Sequence, residues 1–438
     1  MSDAWTINAE WEPLDAGSPE ERAGFASIAI QARGIWLTEG LDALSNSLRK
    51  APRLSAYSLA EWLAWNWWRL RWEPRSTSAN NWSSSHRLAT IGGGYIWPNI
   101  TIFSDGERIA LIAKPTEERP QTPFRYIANF AAVIQGHEFE NITTAFIEQV
   151  LQRLDSERVR GTNLETVWNG VTDERRSPEL ARIRKLEALL GQEPDESNPQ
   201  VLEQLIADSK ELSNGAIDEI AADHGSDGAV VTATELREIA EAKGYDASPR
   251  NAVGLSSRSD LPRPGGLPAW RYGAIAAKLL REQESLDGTR IPNRQLTELA
   301  GAQSAVLDDK RGGKGFSFAL DDSPTHSRVV LRSKWTTGRR FELARLIGDR
   351  IVKVNASRLF PATQSSTYRQ KMQRSFAAEF LSPFDVVEDM LKGDYSTESQ
   401  QEVAEHFEVS PLTIRTMLTN HKRIEREGFD EDFDALVA

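Results

Sequence analysis

The sequence contains no cysteine among its 438 residues and no long apolar run. Without cysteine, disulfides, thiolate nucleophiles and cysteine-ligated metal sites are excluded. No stretch approaches the roughly 20 apolar residues that a membrane-spanning helix needs. The first residues, MSDAWTINAEWEPLD, are polar and acidic, unlike a secretory signal. We therefore expect a cytoplasmic protein with no membrane partner.

Composition and charge divide the chain into three sections. Hydrophobic residues make up 39% and charged residues 26%, as in ordinary soluble globular proteins. The net charge of −12 is concentrated in residues 155–249, which carry 21 acids and 10 bases. Residues 248–268 are rich in Gly, Pro and Ser and read as a linker. We predict a mostly helical α+β protein with domains at 1–155, 156–268 and 269–438.

The N-terminal section is rich in tryptophan. Ten of the 13 tryptophans precede residue 98, and five lie in 62–72, WLAWNWWRLRW. This spacing predicts a helix that is buried on two sides or that presents one face to a partner. Ser58 and Glu61 fit a capping box at its start. His86 stands alone, and a lone histidine is more often structural than catalytic.

Further elements follow from turn and capping signals. Two apolar-rich runs in 99–114 flank Asp105-Gly106, which predicts a tight β-hairpin. A helix should follow at 138–154. In the acidic section, apolar periodicity predicts helices at 178–190, 199–212, 214–222 and 234–243. We hypothesise that this section shields a basic stretch further along the chain.

The most informative stretch is 332–383. Apolar residues recur at helical spacing around Phe341, and a second helix is predicted to end before Pro383. In a zinc peptidase such a helix carries His-Glu-x-x-His, with two imidazoles on one face and a glutamate acting on the metal-bound water. Here the five positions read Phe341-Glu342-Leu343-Ala344-Arg345. The glutamate is present and both histidines are replaced.

This stretch resembles the ImmA/IrrE family of metallopeptidase-like proteins. FAAEFLSP at 376–383 matches the family's FAxxLLxP, and the resemblance runs from about 270 to 424. WRYGAIAAKLLREQ and IPNRQLTELAG resemble its opening helices, GFSFAL and SRVVLRS its small antiparallel sheet, and 402–424 its closing helices. The resemblance implies a zincin-like C-terminal domain whose third metal ligand, a Glu, would lie in YRQKMQR at 368–374. That segment contains no acid and no histidine.

The metal signature is therefore negative. A guanidinium at Arg345 would lie where the zinc ion belongs and would repel it, so we predict no metal site and no cofactor. Glu342 keeps the general-base position of a degenerate motif. The alternative is an active metallo-endopeptidase that recruits His326, His406 or His421, although these histidines are scattered along the chain.

A dense basic segment replaces the metal motif. Residues 331–374 contain eleven Lys/Arg and two acids, Glu342 and Asp349. Such density favours phosphates or an acidic partner, so this segment is the predicted contact to a protein or nucleic acid. The other interpretation is a solvated helix face with pairs at i+3 and i+4. The candidate binding residues are Arg339, Arg340, Arg345, Arg369, Lys371 and Arg374. Nearby DKRGGKG (309–315) lacks the Gly-Lys-Ser/Thr of a phosphate loop and is predicted to be a turn.

Residues 403–424 fit a helix-turn-helix. Ala404, Val409 and Ile414 occupy its packing positions, and Ser410-Pro411 would begin the second helix. If that helix entered a major groove, its base and phosphate contacts would be Thr413, Arg415, Thr416, Lys422 and Arg423. This reading makes the protein a DNA-binding transcriptional regulator.

The sequence thus leaves three functions open. The first is a bacterial-type pseudo-peptidase in gene regulation, stress response, phage defence or toxin–antitoxin control, as the resemblance implies, which binds a partner without cleaving it. The second is an active peptidase that cleaves a repressor-type partner. The third is the DNA-binding regulator. Neither the partner nor the oligomeric state is indicated.

Overall fold

The computed structural model describes residues 5–75, 82–117, 122–223, 230–308, 312, 315–352 and 357–425. Helices and small antiparallel sheets are mixed along the chain, which confirms the α+β prediction. The chain folds as two compact units, Met1–Ser197 and Asn198–Leu436. The three sections predicted from composition differ from these units, because the acidic section divides between them. No helix in the described ranges combines the length and apolarity required to cross a bilayer.

The first unit contains three antiparallel sheets and seven helices within the described residues. Its strands are β1 (Trp5–Trp11), β2 (Phe25–Ala32), β3 (Ile35–Trp36), β4 (Gly40–Asp42), β5 (Ser47–Arg49), β6 (Arg53–Ser55), β7 (Asn99–Ser104), β8 (Arg108–Lys114), β9 (Phe124–Tyr126) and β10 (Phe130–Gln135). Its helices are α1 (Pro19–Gly24), α2 (Ala56–Trp65), α3 (Trp67–Trp72), α4 (Trp82–His86), α5 (Gly136–Ser156), α6 (Asn163–Arg176) and α7 (Pro178–Leu189). The first sheet has the order β1-β2-β3, and β6 also pairs with β2. The second sheet has the order β10-β8-β7, and the third has the order β5-β4-β9.

Two local predictions in this unit shift by a few residues. The tryptophan-rich helix α2 begins at Ala56 after the N-cap Ser55, whose hydroxyl accepts the Ser58 N–H at 3.1 Å, so the predicted cap at Ser58 is wrong. In the β7–β8 hairpin, Asp105 and Arg108 form the last bonded pair, and Gly106 with a φ of 97° begins the two-residue turn. The turn is therefore Gly106-Glu107, since a glycine suits the first central position of such turns.

The second unit has one four-stranded antiparallel sheet, ordered β11-β13-β12-β14, surrounded by helices. Its strands are β11 (Tyr245–Ala247), β12 (Ser317–Ser323), β13 (His326–Val330) and β14 (Leu359–Ala362). Its helices are α8 (Pro199–Leu212), α9 (Asn214–Ala222), α10 (Ala233–Lys243), α11 (Ala269–Gln283), α12 (Asn293–Leu299), α13 (Ala305–Asp308), α14 (Thr336–Val352), α15 (Tyr368–Leu381), α16 (Phe384–Leu391), α17 (Thr397–Phe407) and α18 (Pro411–Asn420).

Two glycines let α15 lie close to its neighbouring helices. A Cβ on Gly273 of α11 would come within 2.4 Å of the Met372 carbonyl oxygen. A Cβ on Gly348 of α14 would come within 2.5 Å of the Phe376 ring. Because both glycines lack that atom, α15 packs tightly between α11 and α14 in the apolar core. This packing brings together polar side chains of α14 and α15.

Some predictions fall outside the described residues. The DKRGGKG turn is covered only at Gly312 and Gly315. Lys353 of the basic segment also lies outside the described residues. The predicted linker 248–268 is described and contains two short 3₁₀ turns.

Candidate functional site

Residues 341–345, compared above with the zinc-peptidase motif, lie on α14, and the Arg345 side chain is directed towards α15. Glu342 and Arg345 are 8% and 7% exposed, and Phe341 is partly buried against the apolar core. Helix α15 begins after Thr367, whose hydroxyl accepts the Gln370 N–H at 3.2 Å. This cap places Gln370 and Gln373 on the first turns of α15, within reach of α14.

Arg345 links the two helices to the last strand of the sheet. Its Nη2 donates to Thr363 O at 2.6 Å, Gln370 Oε1 at 2.5 Å and Gln373 Oε1 at 3.3 Å. Both glutamine amides in turn donate to Pro361 O at 3.0 Å. The Nε of Arg345 is buried and has no hydrogen-bond partner. The guanidinium is therefore held by neutral oxygens, with part of its hydrogen-bonding capacity unused.

Burial and like charge both act against this arginine. Burial and, to a lesser extent, repulsion from Arg374 together lower the pKa of Arg345 to about 9, against the attraction of Glu342 and Asp349. Burial likewise lowers the pKa of Arg374 to about 10. Both guanidinium groups remain protonated at neutral pH. The space between α14 and α15 thus carries positive charge.

Glu342 is engaged by the loop before α14. Its Oε2 accepts the backbone N–H of Ser333 at 2.9 Å, and Arg332 Nε lies 3.8 Å from Oε1. Within the described ranges, no group of three or more His, Asp or Glu side chains is placed to hold a metal ion. His326 lies beside Asp322 at 3.6 Å, while His421 stacks on Phe384 with ring centroids 3.5 Å apart.

Arg339 and Arg340 are not on the surface, contrary to the prediction that they bind a polyanion. Both are 0% exposed. Arg339 donates to Val306 O at 2.7 Å and Ser333 O at 2.9 Å. Arg340 donates to Ile291 O at 2.8 Å. The prediction is wrong for these residues because their guanidinium donors are used inside the fold, on the backbone carbonyls of Val306, Ser333 and Ile291.

Arg369 is also engaged inside the fold. It pairs through two nitrogens with Asp349, which is 1% exposed, and donates to Gly215 O at 2.8 Å. Arg350 pairs with Asp321 in the same bidentate way, at 2.7 Å for both bonds. Since Asp349 of the facing helix α14 and Asp321 from outside the segment neutralise these arginines, the segment does not act as one cationic surface. Arg332 and Lys334 are exposed, and Lys371 is half-buried.

Two acids, Glu219 on α9 and Asp223 directly after it, meet the basic segment within the second unit. Glu219, 6% exposed, accepts the Thr367 hydroxyl at 2.6 Å. Asp223 accepts the Gln364 N–H at 2.8 Å. Burial raises the pKa of both carboxyl groups, and nearby arginines oppose this effect. The hypothesised contact between acidic and basic segments exists, but it is a packed part of the fold rather than a separate shield.

The segment 363–365 gathers three arginines. Thr363 O accepts from Arg345, and Ser365 O accepts from Arg374 at 3.0 Å. With its amide in the orientation that satisfies both groups, the Gln364 side chain accepts from Arg332. Three consecutive residues thus accept hydrogen bonds from three guanidinium groups, which come from α14, from α15 and from the loop before α14. We call this set, Arg332, Arg345 and Arg374, the arginine cluster.

The three residues predicted to pack inside the helix-turn-helix are buried, as expected. Ala404, Val409 and Ile414 are at most 3% exposed, and Ser410 caps α18 by accepting the Thr413 N–H at 3.2 Å. Glu408 adopts a left-handed φ of 53° in the turn, where glycine is usual.

The proposed DNA contacts are only partly available. Thr413 is 8% exposed, so it does not face a groove as predicted. Arg423 forms an ion pair with Glu388 at 2.5 Å. Thr416 and Lys422 are exposed, and Arg415 is partly exposed. These three residues remain candidates for DNA contact.

Glu379 on α15 is a further buried acid with a perturbed pKa. It is 2% exposed, and burial raises its pKa from 4.5 to about 7, against the attraction of Lys278, whose Nζ lies 3.9 Å away. Between about pH 4.5 and 7, the folded state therefore retains a proton that the unfolded chain releases. Stability should fall as the pH rises through this window, by roughly 3 kcal/mol in total.

In the first unit, His86 is structural, as predicted. It is 0% exposed, and its ring nitrogens lie 2.7 Å from Ile102 O and 2.9 Å from Glu73 Oε2. Arg69, 1% exposed, donates to the same carboxylate at 2.6 Å. Burial opposes the ionised carboxylate, but His86 and Arg69 outweigh it and lower the pKa of Glu73. This network joins α3 and α4 to β7.

Sequence reasoning missed most partners of Arg345. Gln370, Gln373 and Thr363 carry no motif of their own, and Glu219 and Asp223 lie more than a hundred residues before the arginines that they face. No local signal identifies them. Comparisons with protein-family models, curated proteins and solved structures find no match to this chain.

Proposed function

We propose that the second unit is a metal-free, zincin-like domain of the ImmA/IrrE type, and that the protein acts by binding a partner rather than by cleaving it. The observation that carries this proposal is the position of Arg345. Its guanidinium joins α14 to α15 through Gln370 and Gln373, which is where the second and third metal ligands of a zinc peptidase would meet. A hydrogen-bonded cation takes the place of the ion.

The position of Glu342 supports the same function. In a zinc peptidase this carboxylate acts on a metal-bound water. Here it accepts a backbone N–H from Ser333 at 2.9 Å and lies beside Arg332. Both contacts engage the carboxylate within the fold, which disfavours a role as a general base. The active peptidase is therefore the less favoured candidate.

A regulatory role follows from the resemblance, since relatives in that family are expected to act on repressor-type partners. A domain that keeps the fold and loses the metal would retain the partner and lose the cleavage. The exposed Arg332 and Lys334, next to Trp335 at 79% exposure, lie at the start of α14 and give this binding a cationic and aromatic entrance.

The test compares wild type with Glu342→Gln as immobilised baits. We expect the same partners to be retained intact by both proteins, with retention reduced by Arg332→Gln. The size of each retained partner is measured by mass spectrometry in the presence of added zinc. Partner fragments that appear with wild type and disappear with Glu342→Gln would establish proteolysis instead.

A further inference from the structure

The loop that leads into α14 presents a tryptophan to solvent on an ordered backbone. Trp335 is 79% exposed. Its own N–H donates to Ser333 Oγ at 3.1 Å, the Ser333 N–H donates to Glu342 Oε2 at 2.9 Å, and Ser333 O accepts from Arg339 at 2.9 Å. The ring is therefore exposed although the loop is held in place. A tryptophan in this situation is typical of an anchor in a protein–protein interface.

Cations lie on both sides of this ring in the sequence. Lys334 is exposed and forms no ion pair within the described ranges. Arg332 of the arginine cluster keeps 42% of its side chain exposed, although Glu342 lies 3.8 Å away. The first turn of α14 contains no acid. We call Arg332, Lys334 and Trp335 the α14 entrance.

A second basic segment runs past the α14 entrance. A Cβ on Gly312 would come within 2.6 Å of Lys334 Cγ, so the chain at this glycine lies against the lysine. The sequence around it, DKRGGKG, contains three bases and one acid. The entrance thus combines an aromatic ring with an excess of positive charge, which favours an acidic segment that carries apolar side chains.

Residues 427–434, EGFDEDFD, have this complementary composition. They follow the last described residue, Glu425, and contain five acids, no base and two phenylalanines. Phe429 and Phe433 are four residues apart, a spacing at which two side chains share one face of a helix. Such a segment offers rings to a tryptophan and carboxylates to the neighbouring cations at the same time.

The segment is long enough to reach the α14 entrance. Arg340 on α14 lies 3.5 Å from Glu408, in the turn before α18. Trp335 precedes Arg340 by five residues, about 7.5 Å along a helix axis, and α18 is about 15 Å long. The nine residues 426–434 span up to about 30 Å when extended, which exceeds the sum of these two lengths.

We propose that the α14 entrance is a docking surface for residues 427–434 of the same chain. The phenylalanines pack on Trp335, and the acids pair with Lys334 and Arg332. This inference rests on the proposed function, because the entrance is the surface proposed for the partner. It adds that an acidic segment of the chain competes with the partner for that surface.

The test is zero-length carbodiimide cross-linking of the full-length protein, which joins an amine to a carboxylate when the two are in contact. A mixture of unlabelled and isotope-labelled chains distinguishes links within one chain from links between two chains. We expect links from Lys334 to the acids of 427–434 in which both peptides carry the same label. Lys243, exposed on α10 of the same unit, is the control lysine and should form at least about fivefold fewer such links.

Variants test the aromatic contact while the amine and the carboxylates stay in place. Trp335→Ser and the double variant Phe429→Ser/Phe433→Ser should each reduce the Lys334 links at least about fivefold. Leu412→Ser is the matched control, because Leu412 is 70% exposed on α18, and it should leave the links unchanged.

Three results would overturn the inference. The first is the absence of links between Lys334 and 427–434, and the second is equal linking in wild type and both aromatic variants. The third is linking mainly between chains of different label, which would assign the surface to a second copy.

Partner retention by the immobilised protein distinguishes failure of this inference from failure of the proposed function. Retention of a partner without the Lys334 links keeps the function and removes the self-docking. The links without any retained partner keep the self-docking and remove the function. Where both are present, the Phe429→Ser/Phe433→Ser protein should retain more partner than wild type, because its entrance is open.

Discussion

Three substitutions between α14 and α15 should create a zinc site in this protein. The changes are Phe341→His, Arg345→His and Gln373→Glu, with Glu342 kept. Histidines four residues apart lie on one helix face, and the Oε1 of Gln373 is already 3.3 Å from the Arg345 guanidinium. An imidazole is shorter than arginine, so the volume that the guanidinium occupies becomes available to an ion with bonds of about 2.0–2.2 Å. Gln373 is chosen over Gln370, which also accepts the Thr363 N–H at 2.9 Å.

The expected effect is large enough to measure. A Kd near 1 µM corresponds to about 8 kcal/mol of binding free energy. At 100-fold excess of free zinc over Kd, binding stabilises the folded state by about 2.7 kcal/mol. For a unit of this size, that raises Tm by about 5–10 °C. Removal of the buried cation offsets part of the cost of losing its three hydrogen bonds.

The assays are zinc content by elemental mass spectrometry and calorimetric unfolding with and without zinc. The control is the double variant Phe341→His/Arg345→His, which lacks the third ligand and should bind zinc at least about tenfold more weakly. If the triple variant bound no more zinc than the double variant, the side chains of α14 and α15 would not have the zincin-like arrangement inferred here.

Other buried groups give further expectations. Glu379→Gln should raise the free energy of unfolding by roughly 2–3 kcal/mol at pH 8 and change it little at pH 4.5. Urea denaturation at both pH values measures this difference. Equal effects at the two pH values would contradict the raised pKa of Glu379. Asp349→Asn should destabilise by about 3–5 kcal/mol because it leaves Arg369 unpaired, and adding Arg369→Gln should recover part of the loss in a double-mutant cycle. Glu73→Gln should destabilise the protein by roughly 3 kcal/mol, because Arg69 loses its buried carboxylate partner. The urea midpoint measures this loss, and an unchanged midpoint would contradict a stabilising role for the network of Arg69, Glu73 and His86.

Helices were the most predictable part of the chain. The predicted span 214–222 matches α9, and 199–212 matches α8, because apolar periodicity coincides in both helices with a capping residue, and in α8 also with a proline in the first turn. The burial of Ala404, Val409 and Ile414 followed from the same kind of pattern. These features depend on residues close together in the sequence.

The charged site was less predictable because its contacts join residues that are far apart in the sequence. The count of eleven cations in 331–374 treats the segment as isolated, whereas Asp321, Glu219 and Asp223 reach it through the tertiary fold. Arg339 and Arg340 lie on a helix whose sequence gives no sign that their side chains donate to Val306 O and Ile291 O, more than thirty residues earlier in the chain. The identity of the residue at position 345 was visible, but its partners on α15 were not.

The most direct test of the account is the zinc content of the wild-type protein. The purified chain is dialysed against excess zinc, passed over a weak chelating resin and measured by elemental mass spectrometry. We predict far less than one zinc ion per chain, because Arg345 fills the space between α14 and α15. One zinc ion per chain, together with peptide cleavage that is lost on substitution of Glu342, would contradict the account.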